Sequence, residues 1–154
     1  MSNFVIRLKS ELESEKLSLQ SLSKIIGISS SQLSKYASGN FEPTLKNAII
    51  ICSHFACSLD YLFGLDTNKN SFGDLKKENV ELFYKRFSHL LEIQNTNINR
   101  VSRHTYINRN CIYHWQNKAI FPKVSILAKL AIELKTSIEY LIGRTDIMES
   151  KYGI

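Results

Sequence analysis

Between Asn97 and Lys123 the sequence places five basic residues, Arg100, Arg103, Arg109, Lys118 and Lys123, and no acidic one. A run of cations without counter-charge suits a polyanion such as nucleic-acid phosphate, which it holds with affinity but without sequence preference. Other chemistries find little footing. The three cysteines, Cys52, Cys57 and Cys111, form no CxxC pair and have no nearby CxxH, so the short-spaced ligands of a zinc site are missing. They read as small apolar residues in a reducing compartment. The four histidines, His54, His89, His104 and His114, are scattered over different segments. No Gly-rich phosphate loop, HExxH or nucleophile-elbow pattern occurs. Neither catalysis, a metal nor a cofactor is expected.

The elements that must position the cations follow from an internal repeat. Sliding the sequence on itself by 79 residues aligns Phe4–Gly64 with Phe83–Gly143 without a gap. Identical pairs include Phe4/Phe83, Arg7/Arg86, Leu12/Leu91, Ile28/Ile107, Pro43/Pro122, Tyr61/Tyr140 and Gly64/Gly143. Apolar character is kept at Leu8/Phe87, Leu22/Val101, Leu33/Ile112, Tyr36/Trp115, Ile51/Leu130 and Leu59/Ile138. A register of apolar positions with a shared Pro and Gly marks a duplication.

Each unit reads as five short helices, with no period-two alternation of a strand. In the first, Phe4, Leu8 and Leu12 recur at helical spacing. Ser18 caps a second helix running to Ile26, and Gly27 supplies a turn. Ser29 caps a third helix with Gln32 three residues on, a capping-box spacing. Gly39 ends that helix and Pro43 fixes the chain before the fourth. The fourth presents Leu45, Ala48, Ile51, Cys52 and Phe55 on one side, and Ser58 opens a fifth that stops at Gly64. Between the units LDTNKNSFGDLKKEN is polar, and the next helix is expected to open as early as Asp74. The expected division is a domain over 1–66, a linker over 67–78 and a domain over 79–154.

The composition fits this reading. Of 154 residues 44% are hydrophobic, a globular proportion. The longest apolar run, Ala48–Cys52, is far short of the roughly 20 residues of a membrane span. The opening Met1–Glu11 mixes charge into its apolar residues and does not read as a secretory signal, so a cytoplasmic protein is expected. The net charge of +6 is unevenly spread. Basic and acidic residues balance over Met1–Asp66, and the excess lies beyond Glu81.

The segment SLQSLSKIIGISSSQLSKYASGN, Ser18–Asn40, resembles the helix-turn-helix of the Cro/phage-repressor (XRE) family. Its marks are a capped helix, a turn of small-apolar-Gly-apolar-Ser, and a recognition helix ending in Tyr-x-x-Gly before a Pro. PTLKNAIIICSHFACSLDYLFG, Pro43–Gly64, is similar to that family's fourth and fifth helices. NINRVSRHTYINRNCIYHWQNKAIFP, Asn97–Pro122, resembles a diverged member. It departs where Tyr106 takes the place of turn Gly27 and Lys118 that of Gly39. Leu19 and Ile98 stand where many members have a phosphate-contacting Gln. The resemblance implies an all-α chain of two tandem five-helix lambda-repressor-like domains that bind double-stranded DNA and regulate transcription, in a bacterial or phage setting where DNA ties the protein to the nucleoid.

The resemblance also implies the site. B-DNA's major groove admits one α-helix, whose first turns reach base edges. The base-facing candidates are Ser30, Ser31, Ser34 and Lys35 in the first unit, with Leu33 and Tyr36 in the core. In the second they are Arg109, Asn110, Tyr113 and His114, with Ile112 and Trp115 in the core. Arg109 suits guanine and Asn110 adenine, so the second unit is expected to read more sequence. The phosphate candidates are Ser18, Gln20, Ser38 and Asn40, then Asn97, Asn117, Lys118 and Lys123. With eight residues after Asp146, no appended effector domain is expected. The rival expectation is a protein-interaction module, for which the charge-neutral first unit is the better candidate. A homodimer is expected as the binding species. A pseudo-dimer within one chain is the alternative, since ten to fourteen linker residues extend to roughly 33–46 Å.

Overall fold

The computed structural model describes residues 2–148. Among them the secondary structure is helical throughout, with no strand. The chain divides into two units, Met1–Phe72 and Gly73–Ile154.

In the first unit the helices are α1 (Asn3–Ser14), α2 (Leu19–Ile26), α3 (Ser30–Ala37), α4 (Leu45–Phe55) and α5 (Leu59–Leu62). Every one begins with a hydroxyl cap. Ser2, Ser18, Ser29, Thr44 and Ser58 each accept from the amide three residues on, which satisfies one orphan donor per helix. Helices of eight residues do not hold alone, so burial decides. Leu8, Leu22, Leu33, Ile51, Leu59 and Leu62 are fully buried, each contributing about 1.5–3 kcal/mol.

The first helix is tied to the chain beyond α5. Arg7 lies 4.3 Å over the Tyr61 ring, and its Nη1 donates to the carbonyls of Tyr61 (2.9 Å) and Asp66 (3.1 Å). The buried Glu11 carboxylate accepts from the Tyr61 hydroxyl and from Lys69 Nζ, both at 2.8 Å. A buried carboxylate needs such partners, and Lys69, expected in the linker, supplies one. The bond to Glu11 raises the Lys69 pKa, while burial and then the same carboxylate raise that of Tyr61.

The second unit comprises α6 (Asn79–Ile93), α7 (Ile98–Thr105), α8 (Arg109–Lys118), α9 (Val124–Glu133) and α10 (Ile138–Leu141). Displaced by 79 residues, α7 and α10 fall on α2 and α5 residue for residue, and α8 and α9 start where α3 and α4 do. Arg86 repeats Arg7, 4.1 Å over Tyr140 and donating to the carbonyls of Tyr140 and Thr145. Here Glu139 and Arg144 add a bidentate ion pair, both side chains 1% exposed.

Three expectations are corrected. The helix after the linker opens at Asn79, not at Asp74. Asn79 closes it off by accepting from the Lys76 amide and donating to the Ile142 carbonyl. The residue that ends the matching helix of the second unit is not Lys118. It stays helical as the last residue of α8, and Ala119 takes the left-handed backbone at φ 52°. A left-handed conformation opposes any Cβ, and the smaller side chain one step on bears it. Trp115, expected in the core, is only partly buried, whereas Tyr36 is 1% exposed. The Tyr36 hydroxyl accepts from Gln32 and Asn47, both at 2.9 Å. At the matching positions stand Cys111 and Ile126, neither a partner for an indole N–H, so the ring keeps an edge toward water.

Candidate nucleic-acid interface

In the first unit the geometry is α2, a turn, then α3. Ser18 Oγ accepts from the Ser21 amide and Ser29 Oγ from the Gln32 amide, both at 3.1 Å. Gly27 turns the chain at φ 79°, with no atom within 4 Å of where a Cβ would stand. The reciprocal half of the capping box is not made. Instead the Gln32 side chain donates to Tyr36, and with Asn47 it locks α3 onto α4 through one buried hydroxyl.

Leu33 and Tyr36 point inward, and Ser30, Ser31, Ser34 and Lys35 lie together on the exposed side of α3. Gln20, Ser38 and Asn40 are exposed around it, and Ser38 Oγ donates to the Lys35 carbonyl. Lys35 Nζ lies 5.5 Å over the ring of Phe41, which is 60% exposed. Phe41 was not among the expected residues. Its position after Asn40 at the rim of the motif was the available signal.

In the second unit the same layout is built from different side chains. Asn97 Oδ1 caps α7 at the Arg100 amide, 2.9 Å away, and Asn108 caps α8 at the Asn110 amide, 2.7 Å away. Tyr106 adopts φ 59° with its side chain 93% exposed. Hydroxyls hold this turn: Thr105 donates to the Val101 carbonyl at 2.6 Å and Ser102 to the Ile107 carbonyl at 2.5 Å. Strained backbone persists where its surroundings over-determine it.

Ile112 is 2% exposed, while Arg109, Asn110, Tyr113 and His114 are exposed on α8. Asn117, Lys118 and Lys123 are exposed at its far end, so every expected site residue of this unit lies on the surface. Arg109 Nη1 donates to Oδ1 of Asn99 on α7 at 3.1 Å, a partner the sequence reading did not single out. Tyr113 lines an open recess of about 330 Å³ together with Leu91, Thr96, Asn97, Ile98 and Asn99. Lys123 is the N-cap residue of α9 without a side-chain cap bond, where Thr44 caps α4.

Residues 8–62 match the helix-turn-helix family. The first unit is a helix-turn-helix domain of the Cro/phage-repressor type. The match spans α2, the turn and α3, the elements just described, and ends at the last residue of α5. Its family is one of DNA-binding domains rather than enzymes. No curated protein and no solved structure matches the chain. Among the described residues no helix is long and apolar enough to cross a membrane.

Proposed function

We propose that the protein binds double-stranded DNA sequence-specifically as a transcriptional regulator, a repressor of XRE type, with α3 and α8 in major grooves. The second unit is read as a diverged helix-turn-helix domain. One observation carries this: the four exposed candidates on α8 occupy the register of the four on α3, and the buried Ile112 of α8 matches the buried Leu33 of α3. Arg109 matches guanine O6 and N7 and Asn110 adenine N6 and N7, while the serines accept either role. The amides at the starts of α2 and α7 face a phosphate beside Ser18 and Asn97. Lys123 at an uncapped helix start supports the same use, because a cation there is unfavourable beside the helix dipole unless an anion joins it. A cytoplasmic setting of bacterial or phage type goes with this reading.

The test is duplex binding across a salt series. Log affinity falls steeply with log salt, at about 0.9 per phosphate contact. Lys118→Ala and Lys123→Ala weaken all duplexes alike. Arg109→Ala costs about 1–3 kcal/mol on the preferred site and blurs one base position. Absence of binding to random duplex at low salt would sink the reading and promote a protein-interaction role. The exposed Tyr106 ring favours that second reading for its unit, since bare aromatic surface suits a protein partner.

A further inference from the structure

An exposed arginine has many rotamers open to it, and reading a base requires one of them. Arg109, the first residue of α8, is not left to swing. Its Nη1 donates to Asn99 Oδ1 at 3.1 Å, and Asn99 lies on α7, so the contact crosses the turn. A guanidinium carries only donors, so Asn99 must turn its amide oxygen toward it and its NH2 away. The bond occupies Nη1 alone. The remaining Nε and Nη2 form one edge of the fork, two parallel donors of the kind that meet guanine O6 and N7. No carboxylate between Asn97 and Lys123 competes for the guanidinium, and Glu133, which faces α7, is taken by His104 at 2.6 Å.

We propose that Asn99 is a positioning residue that fixes the Arg109 guanidinium so that its Nε–Nη2 edge faces a guanine in the major groove. The proposal rests on the reading of α8 as a groove-reading helix and deepens it: the second unit's specificity depends on a side chain of the other helix. The first unit carries Gln20 and Ser30 at the matching positions, so it has no cation to orient there.

The experiment measures Asn99→Ala and Asn99→Asp on the preferred site, on that site with each base pair exchanged in turn, and on random duplex. Asn99→Ala is expected to lower discrimination by about fivefold or more at the base pair that Arg109→Ala blurs, leaving random-duplex affinity within about twofold. Asn99→Asp puts a carboxylate beside Arg109 that competes with guanine for two of its donors, so it lowers discrimination at that base pair and its charge also weakens every duplex. Added to Arg109→Ala, Asn99→Ala changes nothing further, because the two act as one unit. In the free protein, rotation about the Arg109 Nε–Cζ bond, followed by NMR of the guanidinium nitrogens, is slower than in Arg100 and Arg103, and Asn99→Ala removes the difference. A uniform loss over all duplexes with discrimination intact would make Asn99 a phosphate contact and overturn the proposal. Guanidinium rotation unaltered by Asn99→Ala would overturn it too. If the unaltered protein binds no duplex at low salt, the groove reading itself fails and takes this proposal with it.

Discussion

Tyr106 occupies a backbone position that its counterpart Gly27 fills without cost, and the 79-residue register alone was enough to expect strain there. The hydroxyls that hold it were not legible, because a Ser or Thr in a helix can bond several nearby carbonyls with equal ease. Since the ring is 93% exposed, little packing offsets the left-handed backbone. Tyr106→Gly is therefore expected to raise stability by about 1 kcal/mol, the relief of strain less the entropy of glycine. Gly27→Ala should cost about the same from φ alone, because its Cβ meets nothing within 4 Å. Thermal denaturation of both variants checks this, and a lower Tm for Tyr106→Gly would mean that the ring makes stabilising contacts. Trp115 shows the opposite limit of sequence reading. Its apolar register was plain, but its depth depended on whether Gln32 and Asn47 had polar successors, which no periodicity reports.

Helix existence was legible wherever a hydroxyl or Asn preceded an apolar repeat, as at Ser18, Ser29 and Asn97. Helix ends were less so: α8 outruns α3 because Ala119, not Lys118, is the residue that turns. That end is secured from α6, where the Tyr84 hydroxyl donates to the Ile120 carbonyl at 2.5 Å. Burial pushes the Tyr84 pKa up to about 12, so the folded state favours its protonated form. The sign follows from linkage: this contribution is complete below the ordinary pKa of 10.0 and is lost as pH rises toward 12. Tyr61 and Lys69, both raised, weaken in the same direction. Stability measured by denaturant should thus fall between about pH 10 and 12, and Tyr84→Phe should flatten part of that fall. An unchanged slope in the variant would remove Tyr84 from the account.

At the scale of the whole molecule the 79-residue register was the most legible feature, since a gapless alignment needs no knowledge of contacts. The extent of the linker was not, because the role of Lys69 depends on a buried carboxylate far away in sequence. With Lys69 on Glu11 and Lys76 bonded to Asn79, the stretch between these two anchors shrinks to residues 70–75. Limited proteolysis should cut there first, and Lys69→Met should extend cleavage toward Thr67. First cuts inside α2 or α3 would contradict it.

The same stretch bears on how the two units occupy a site. From Lys69 to Lys76 it reaches at most about 25 Å, against about 34 Å between neighbouring major grooves on one face of DNA. Any chain with both units in neighbouring grooves must therefore bring its anchored ends well inside the groove spacing, whether it binds alone or beside a second copy. The two proposed recognition helices also differ at every candidate base-facing position, Ser30/Arg109, Ser31/Asn110, Ser34/Tyr113 and Lys35/His114. One chain alone would then prefer an asymmetric sequence, and a homodimer a palindrome with two unlike elements in each half. We expect the homodimer. Its mass on a selected site should equal two chains per duplex, on a palindromic consensus whose half-sites each contain an Arg109-dependent guanine. One chain per duplex on a non-palindromic consensus would establish the covalent pseudo-dimer instead.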